Sequence, residues 1–96
     1  MPAKETTSDW FVYMVRCADS SLYTGIAKDI EKRIEAHNAG KLGAKYTKAR
    51  RPVRLVYQET AESRSQATRR EIEIKRMNKA DKELLVKYSD NRKQKR

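Results

Sequence analysis

Two tyrosines ten residues apart, Tyr13 and Tyr23, are followed by Arg33 and His37, so that two phenols, a guanidinium and an imidazole fall within fewer than thirty residues. A carboxylate of interest, Glu71, comes later in the chain. These side chains suit the handling of a phosphate ester. Hydrolysing a phosphodiester needs a base for the attacking water, a cation for the charge that builds on the phosphate, help for the leaving oxygen, and a substrate held in line. The planar fork of Arg33 matches phosphate oxygens in pairs. A free phenol, with a pKa of about 10, is a poor base while neutral. Cations such as Lys28 and Arg33, or a metal ion, would favour its phenolate.

The elements that must position these groups can be read in order. Trp10-Phe11-Val12-Tyr13-Met14-Val15 is rich in β-branched and aromatic residues and predicts a strand. Leu22-Tyr23-Thr24-Gly25-Ile26 predicts its hairpin partner across the polar turn Ala18-Asp19-Ser20-Ser21. A turn of those four residues would pair Cys17 with Leu22 and send Tyr13 and Tyr23 to opposite faces, because side chains alternate along a strand. A site shared by both tyrosines therefore predicts a loop of about three or five residues, or a bulge. A helix follows, with Asp29 as N-cap and Gly40 just past its end. Arg33 and His37 share one face of it, while Ile30 and Ile34 take a neighbouring face toward the hairpin.

Gly40 to Pro52 reads as a loop in which Lys41, Lys45, Lys48, Arg50 and Arg51 surround Tyr46. That composition fits a phosphate-contacting loop and a solvated basic loop equally. Val53 to Glu59 predicts a third strand, with Val53, Leu55 and Tyr57 alternating against Arg54, Val56 and Gln58. Ser63 and Gln66 have the form of a capping box. The helix they open should reach about Met77 and carry Ala67, Glu71, Ile74 and Asn78 in one stripe. A carboxylate between Ala67 and Ile74 is unusual, since burying it unpaired is costly; a salt bridge to Lys75 or Arg70 is the bland account. A last helix is expected from Lys79 to Tyr88, capped by Asn78, with Leu84, Leu85 and Tyr88 facing inward.

A chain of 96 residues makes one domain, expected over residues 10–88 between a disordered start, 1–9, and a basic disordered tail, 89–96. Lys and Arg number 23 against 13 Asp and Glu, a net charge of +10. That excess implies a polyanionic partner, most simply nucleic acid, unless it serves solubility alone. There is no run of about 18 apolar residues and no apolar signal-peptide core near the start. The single cysteine, Cys17, suits a reducing compartment and reads as a small buried hydrophobe. These features predict a cytoplasmic protein without a membrane partner.

Val12-Tyr13-Met14, then Tyr23-Thr24-Gly25, with Ala27-Lys28-Asp29, the R-x-x-x-H spacing of Arg33 and His37, and a later helical glutamate resemble the GIY-YIG nuclease module. The resemblance runs from about Trp10 to Met77 and looks closest to the small single-domain bacterial members. The second tripeptide matches well; the first matches at its tyrosine. The resemblance implies an α/β (α+β) fold, a small three-stranded antiparallel sheet flanked by helices. It also implies a metal-dependent endonuclease that hydrolyses phosphodiester bonds, in DNA rather than RNA, with Tyr13, Tyr23, Arg33, His37 and Glu71 as catalytic residues. In that scheme Tyr13 or Tyr23 activates or orients the water, with Tyr23 preferred as base. His37 assists proton traffic, and Glu71 is the family's helical carboxylate ahead of an Ile-Lys pair, here Ile74-Lys75.

With one such carboxylate, a single Mg²⁺ or Mn²⁺ held by Glu71, waters and the substrate phosphate fits better than a two-metal centre. Gly25 is expected to let the backbone pass close to a helix or the substrate. Lys28, Lys45, Tyr46, Lys48, Arg50 and Arg51 are expected to contact the substrate. No zinc-finger spacing or helix-turn-helix accompanies the module, so it would be non-specific, structure-selective or delivered by a protein partner, and a repair role follows by analogy. The alternative is a nucleic-acid-binding module of the same fold with little or no catalysis, for which the departure from GIY at Val12-Tyr13-Met14 leaves room.

Overall fold

In the computed structural model, which describes residues 10–39 and 45–94, the first apolar run forms the middle of the sheet. Strand β1 (Trp10–Arg16) pairs antiparallel with β2 (Leu22–Ala27) on one side and β3 (Arg54–Ala61) on the other, giving the order β2-β1-β3. Helix α1 (Ile30–Ala39) packs on one face, where Ile30 and Ile34 meet Tyr13, Val15 and Leu55. Helices α3 (Arg64–Lys75) and α4 (Lys79–Gln94) pack on the other, where Ala67, Ile74 and Val86 meet Val12, Met14 and Tyr57. Because both faces of β1 are covered, Val12 to Val15 are all buried and the strand reads as a continuous apolar run. One further helical turn, α2 (Lys45–Lys48), lies within the basic segment expected to be a loop. The three-stranded antiparallel sheet flanked by helices is the expected architecture.

The hairpin register resolves the question of the two tyrosines. Val15 pairs with Tyr23 and Arg16 with Leu22, so the connection is the five-residue loop 17–21. It closes through Cys17 N–H to the Ser21 carbonyl at 2.9 Å. Ser20 takes the left-handed conformation, φ 72°. Asp19 Oδ1 accepts from the Ser21 amide and hydroxyl at 3.0 and 2.6 Å, an Asx turn that braces the loop. Tyr13 and Tyr23 therefore share the α1 face.

The third strand departs from its expected alternation. Met14 pairs with Tyr57 and Val15 with Leu55, which leaves Val56 as an extra residue in a bulge. Leu55 then joins the α1-side core and Tyr57 the α3-side core, although plain alternation would have kept them on one face.

The helix starts follow their caps. Asp29 Oδ1 accepts from Lys32 N–H at 3.1 Å, Ser63 Oγ from Gln66 N–H at 3.1 Å, and Asn78 Oδ1 from Asp81 N–H at 2.8 Å. The reciprocal arm of the capping box is shifted by one residue, with Gln66 Oε1 accepting from Glu62 N–H at 3.3 Å.

Helix α4 needs two corrections. Among the described side chains of the helix, Val86 is buried and Leu85 packs beside it, while Leu84 and Tyr88 are 45% and 60% exposed; Glu83 adds a paired contact with Arg16 of β1, at 2.6 and 2.7 Å. The helix also runs on to Gln94 instead of ending at Tyr88, since 89–94 contains no glycine or proline to stop it. The expectations for residues 1–9, for Gly40 and Lys41, and for residues 95–96 lie outside the described residues.

Two adjacent residues of β2 carry opposite stability predictions. Thr24 is buried with its hydroxyl unpartnered, a burden of about 1–3 kcal/mol. Gly25 stands directly opposite Tyr13, and a Cβ there would lie 2.6 Å from the Tyr13 hydroxyl oxygen and 2.8 Å from Cζ. Urea unfolding should therefore show Thr24→Val more stable than wild type by roughly 1 kcal/mol. Gly25→Ala should be less stable by about 1–3 kcal/mol. Equal midpoints for the two variants would contradict both readings.

Candidate active site

The site is built around the Tyr13 hydroxyl. The phenol ring lies over Gly25 with no exposed surface, so the space left by the missing side chain is filled by Tyr13 and not by a helix or a substrate. Its hydroxyl meets His37 Nε2 at 2.8 Å and accepts a longer contact from Arg33 Nε at 3.4 Å. Arg33 and His37 are one turn apart on α1, which is why a single oxygen can reach both. The second ring nitrogen of His37, Nδ1, lies 2.8 Å from Thr47 Oγ1, and both side chains are fully buried. Arg51 closes the back of the site by donating from Nε to the His37 carbonyl.

Tyr23, half-buried, presents its ring edgewise to His37 with centroids 5.4 Å apart. Tyr46 stacks on Tyr23 at 5.8 Å, and the Arg50 guanidinium sits 3.9 Å from the Tyr46 ring centre. The loop cation and aromatic are thus partners of each other and of the site. Arg50 is further tied to Asp19 at 3.0 Å and to the Tyr46 carbonyl at 2.8 Å.

Burial decides the protonation of the central pair. It pushes the Tyr13 phenol above its ordinary value, outweighing the opposing pull of Arg33. Burial, followed by the charges of Arg33 and Arg51, pushes His37 below its ordinary value. The resting pair is a neutral phenol and a neutral imidazole. The expected cation-stabilised phenolate does not hold for Tyr13. The Lys28 ammonium lies 5.6 Å from the Trp10 ring, which Arg64 also approaches at 5.8 Å.

Glu71 arrives on α3, which packs against β1 and β2. Its side chain is 19% exposed and ion-paired with Lys75 at 3.1 Å. Arg70, the other candidate partner, pairs instead with Glu59 at 2.9 Å and Glu73 at 3.0 Å. The Glu71 charge is felt at Tyr13, and Lys75 Nζ lies 5.9 Å from the Tyr23 ring. Tyr13 thus touches both Arg33 and His37, Tyr23 touches His37, and the charge of Glu71 acts on Tyr13.

Among the described residues no three His, Cys, Asp or Glu side chains come together to hold a metal ion. A lone carboxylate of this kind suits Mg²⁺ or Mn²⁺, which retain much of their water shell, and does not suit a site that needs several protein ligands.

Of the remaining expected substrate contacts, Lys48 is exposed and Lys45 opens α2. Thr47 and Lys75 stand beside these side chains although neither is among the residues expected to act there. Thr47 lies in a segment read as loop, where nothing marks a threonine as buried. Lys75 carries a signal, its i,i+4 spacing from Glu71, which points to the ion pair but not to its place near Tyr23.

A family model described as the GIY-YIG catalytic domain matches residues 9–84. A UPF0213 protein of Desulfotalea psychrophila is 53% identical over 81 residues, covering 84% of this chain and 74% of that one. A UPF0213 protein of Staphylococcus aureus is 58% identical over 77 residues, covering 80% of this chain and 93% of its own. The solution NMR structure of a UPF0213 protein from Bacillus halodurans is similar at 43% identity and a TM-score of 0.53, over 82% of this chain and 83% of that chain.

The neutral, buried His37 makes stability depend on pH in a definite direction. Its folded pKa is depressed, so the unfolded chain gains a proton first as pH falls below about 6.5. The stabilisation is fully present above that pH and is lost progressively on acidification toward the folded value. Asp19 and Glu83, whose carboxyls are held below their ordinary range, titrate under this window. The urea midpoint should accordingly be lower at about pH 5.5 than at about pH 7.5. A midpoint that stays flat or rises on acidification would refute the assignment.

Proposed function

The chain belongs to the GIY-YIG nuclease family, and on that premise we propose that it is a divalent-metal-dependent endonuclease that hydrolyses phosphodiester bonds in DNA. One observation carries the reading. Four side chains from two strands and a helix, Tyr13, Tyr23, Arg33 and His37, converge around a hydroxyl–imidazole contact of 2.8 Å, with a largely buried carboxylate, Glu71, beside them.

In this reading Arg33 pairs with the phosphate oxygens and neutralises charge that builds there. Tyr23 is the phenol that solvent reaches; acting as its phenolate, its own proton given to solvent, it takes the proton of the attacking water. The water oxygen bonds to phosphorus as the bond to the leaving oxygen breaks, and the leaving oxygen takes a proton from solvent. Tyr13, buried and neutral, orients Arg33 and His37. His37, neutral at rest, can accept a proton at Nε2. A divalent ion held by Glu71 would supply Lewis-acid stabilisation of the phosphate charge.

The net charge of +10 supports nucleic acid as partner. Flapped, branched or nicked DNA, a repair role in the cytoplasm and delivery by a partner protein extend the proposal by family analogy.

The Glu71–Lys75 ion pair favours a second reading, a binding module with little catalysis, because an ammonium at 3.1 Å competes with a metal for that carboxylate. Cleavage of supercoiled plasmid and of labelled flap and branched DNAs with Mg²⁺ or Mn²⁺ separates the two. The nuclease reading expects Glu71→Ala and Arg33→Ala each to slow cutting by about 10²-fold or more. It also expects EDTA to abolish cutting and DNA binding to persist in Glu71→Ala. Binding without cutting in the wild type, unaffected by Glu71→Ala, would establish the module instead.

A further inference from the structure

His37 is the only histidine in the chain, and each of its ring nitrogens has a hydroxyl partner at 2.8 Å, Tyr13 on Nε2 and Thr47 on Nδ1. A neutral imidazole carries one proton, so one nitrogen donates and the other accepts. The neighbours determine which. Arg33 Nε can only donate, and it donates to the Tyr13 oxygen. With the proton on Nδ1, His37 donates to Thr47, Nε2 accepts from the Tyr13 hydroxyl, and the Tyr13 oxygen accepts from Arg33.

With the proton on Nε2, two donors would converge on the Tyr13 oxygen. The phenolic proton would then lie in a fully buried position with no acceptor among the described residues. An orphaned buried donor is costly, so the first arrangement is preferred.

We propose that Thr47 is a positioning residue of the site: its hydroxyl accepts from His37 Nδ1–H, holds the proton there, and keeps the Nε2 lone pair aimed at the Tyr13 hydroxyl. The catalytic consequence rests on the nuclease reading; the tautomer does not. Thr47 is suited to the task because its side chain has no exposed surface and its backbone is fixed in α2, where its carbonyl accepts from Arg50 N–H at 2.9 Å. Neighbouring Tyr46 stacks on Tyr23, so one helical turn supports both the imidazole and the second phenol.

The test uses long-range proton–nitrogen NMR correlation on the full chain at about pH 7.5. With one histidine, the two ring-nitrogen signals need no assignment to a residue. The wild type is expected to show a protonated Nδ1 and an unprotonated Nε2. Thr47→Ser should keep that pattern. Thr47→Val, or Thr47→Ala if the valine variant does not fold, should move it toward Nε2–H or a mixture. Cleavage by the valine variant should fall about 10²-fold, the low end of what a positioned proton-transfer group contributes, and the serine variant should retain most activity. A wild-type protein protonated on Nε2, or a pattern unchanged on removal of the hydroxyl, would overturn the proposal. A chain that cuts no DNA yet shows the expected tautomers would sink the nuclease reading and leave this one standing.

Discussion

The Tyr13 ring lies across its neighbouring strand at the one position where no side chain stands in the way, and the rest of the site depends on that contact. The glycine opposite gives room, not conformational freedom, since Gly25 does not adopt a positive φ. Once the ring is laid down, its oxygen occupies a fixed point beneath α1. Arg33 and His37 must both reach that point, so the rotation of α1 about its own axis is set by the same contact that fills the gap over β2. The burial that results explains the charge state of the pair: water is excluded, and phenol and imidazole are both held neutral.

The chain carries a large excess of positive charge, yet its buried polar centre is held by hydrogen bonds between groups that are neutral at rest, with Arg33 at its edge. Several described cations have partners of their own: Arg16 pairs with Glu83, Arg50 with Asp19, and Arg70 with Glu59 and Glu73. Such partly exposed pairs contribute little to stability individually. They do fix where loops sit, most visibly where Arg50 joins the hairpin loop to the turn that carries Tyr46 and Thr47. Electrostatics in this molecule orients segments, while apolar packing on both sides of β1 holds the fold together.

The parts of the structure legible in the sequence were those governed by local rules. The continuous apolar run of β1, the caps at Asp29, Ser63 and Asn78, and the one-turn spacing of Arg33 and His37 each have a physical signature within a few residues. Parity arguments also worked: requiring both tyrosines on one face excluded a four-residue turn, and the loop is one residue longer. What was not legible depended on distant partners. Nothing near Val56 announces a bulge. The inward face of α4 carries the buried Val86 and Glu83, whose partner Arg16 lies far off in the sequence, while Leu84 and Tyr88, apolar by type, turn outward. Thr47 becomes part of the site only because the fold brings it against His37.

The bulge at Val56 lets one short strand serve both layers of the domain. Residues before it, Val53 and Leu55, belong to the tyrosine side; Tyr57 after it belongs to the α3 side, where its hydroxyl meets Glu59 and, through that carboxylate, Arg70. The extra residue therefore works as a phase shifter. If the same residues ran in plain alternation without the bulge, Tyr57 and the rest of the strand would face the opposite side of the sheet. A related chain with a one-residue gap at this position would lose the bulge and still keep Leu55 and Tyr57 on the faces they hold here, whereas a gap elsewhere in the strand would turn part of it over.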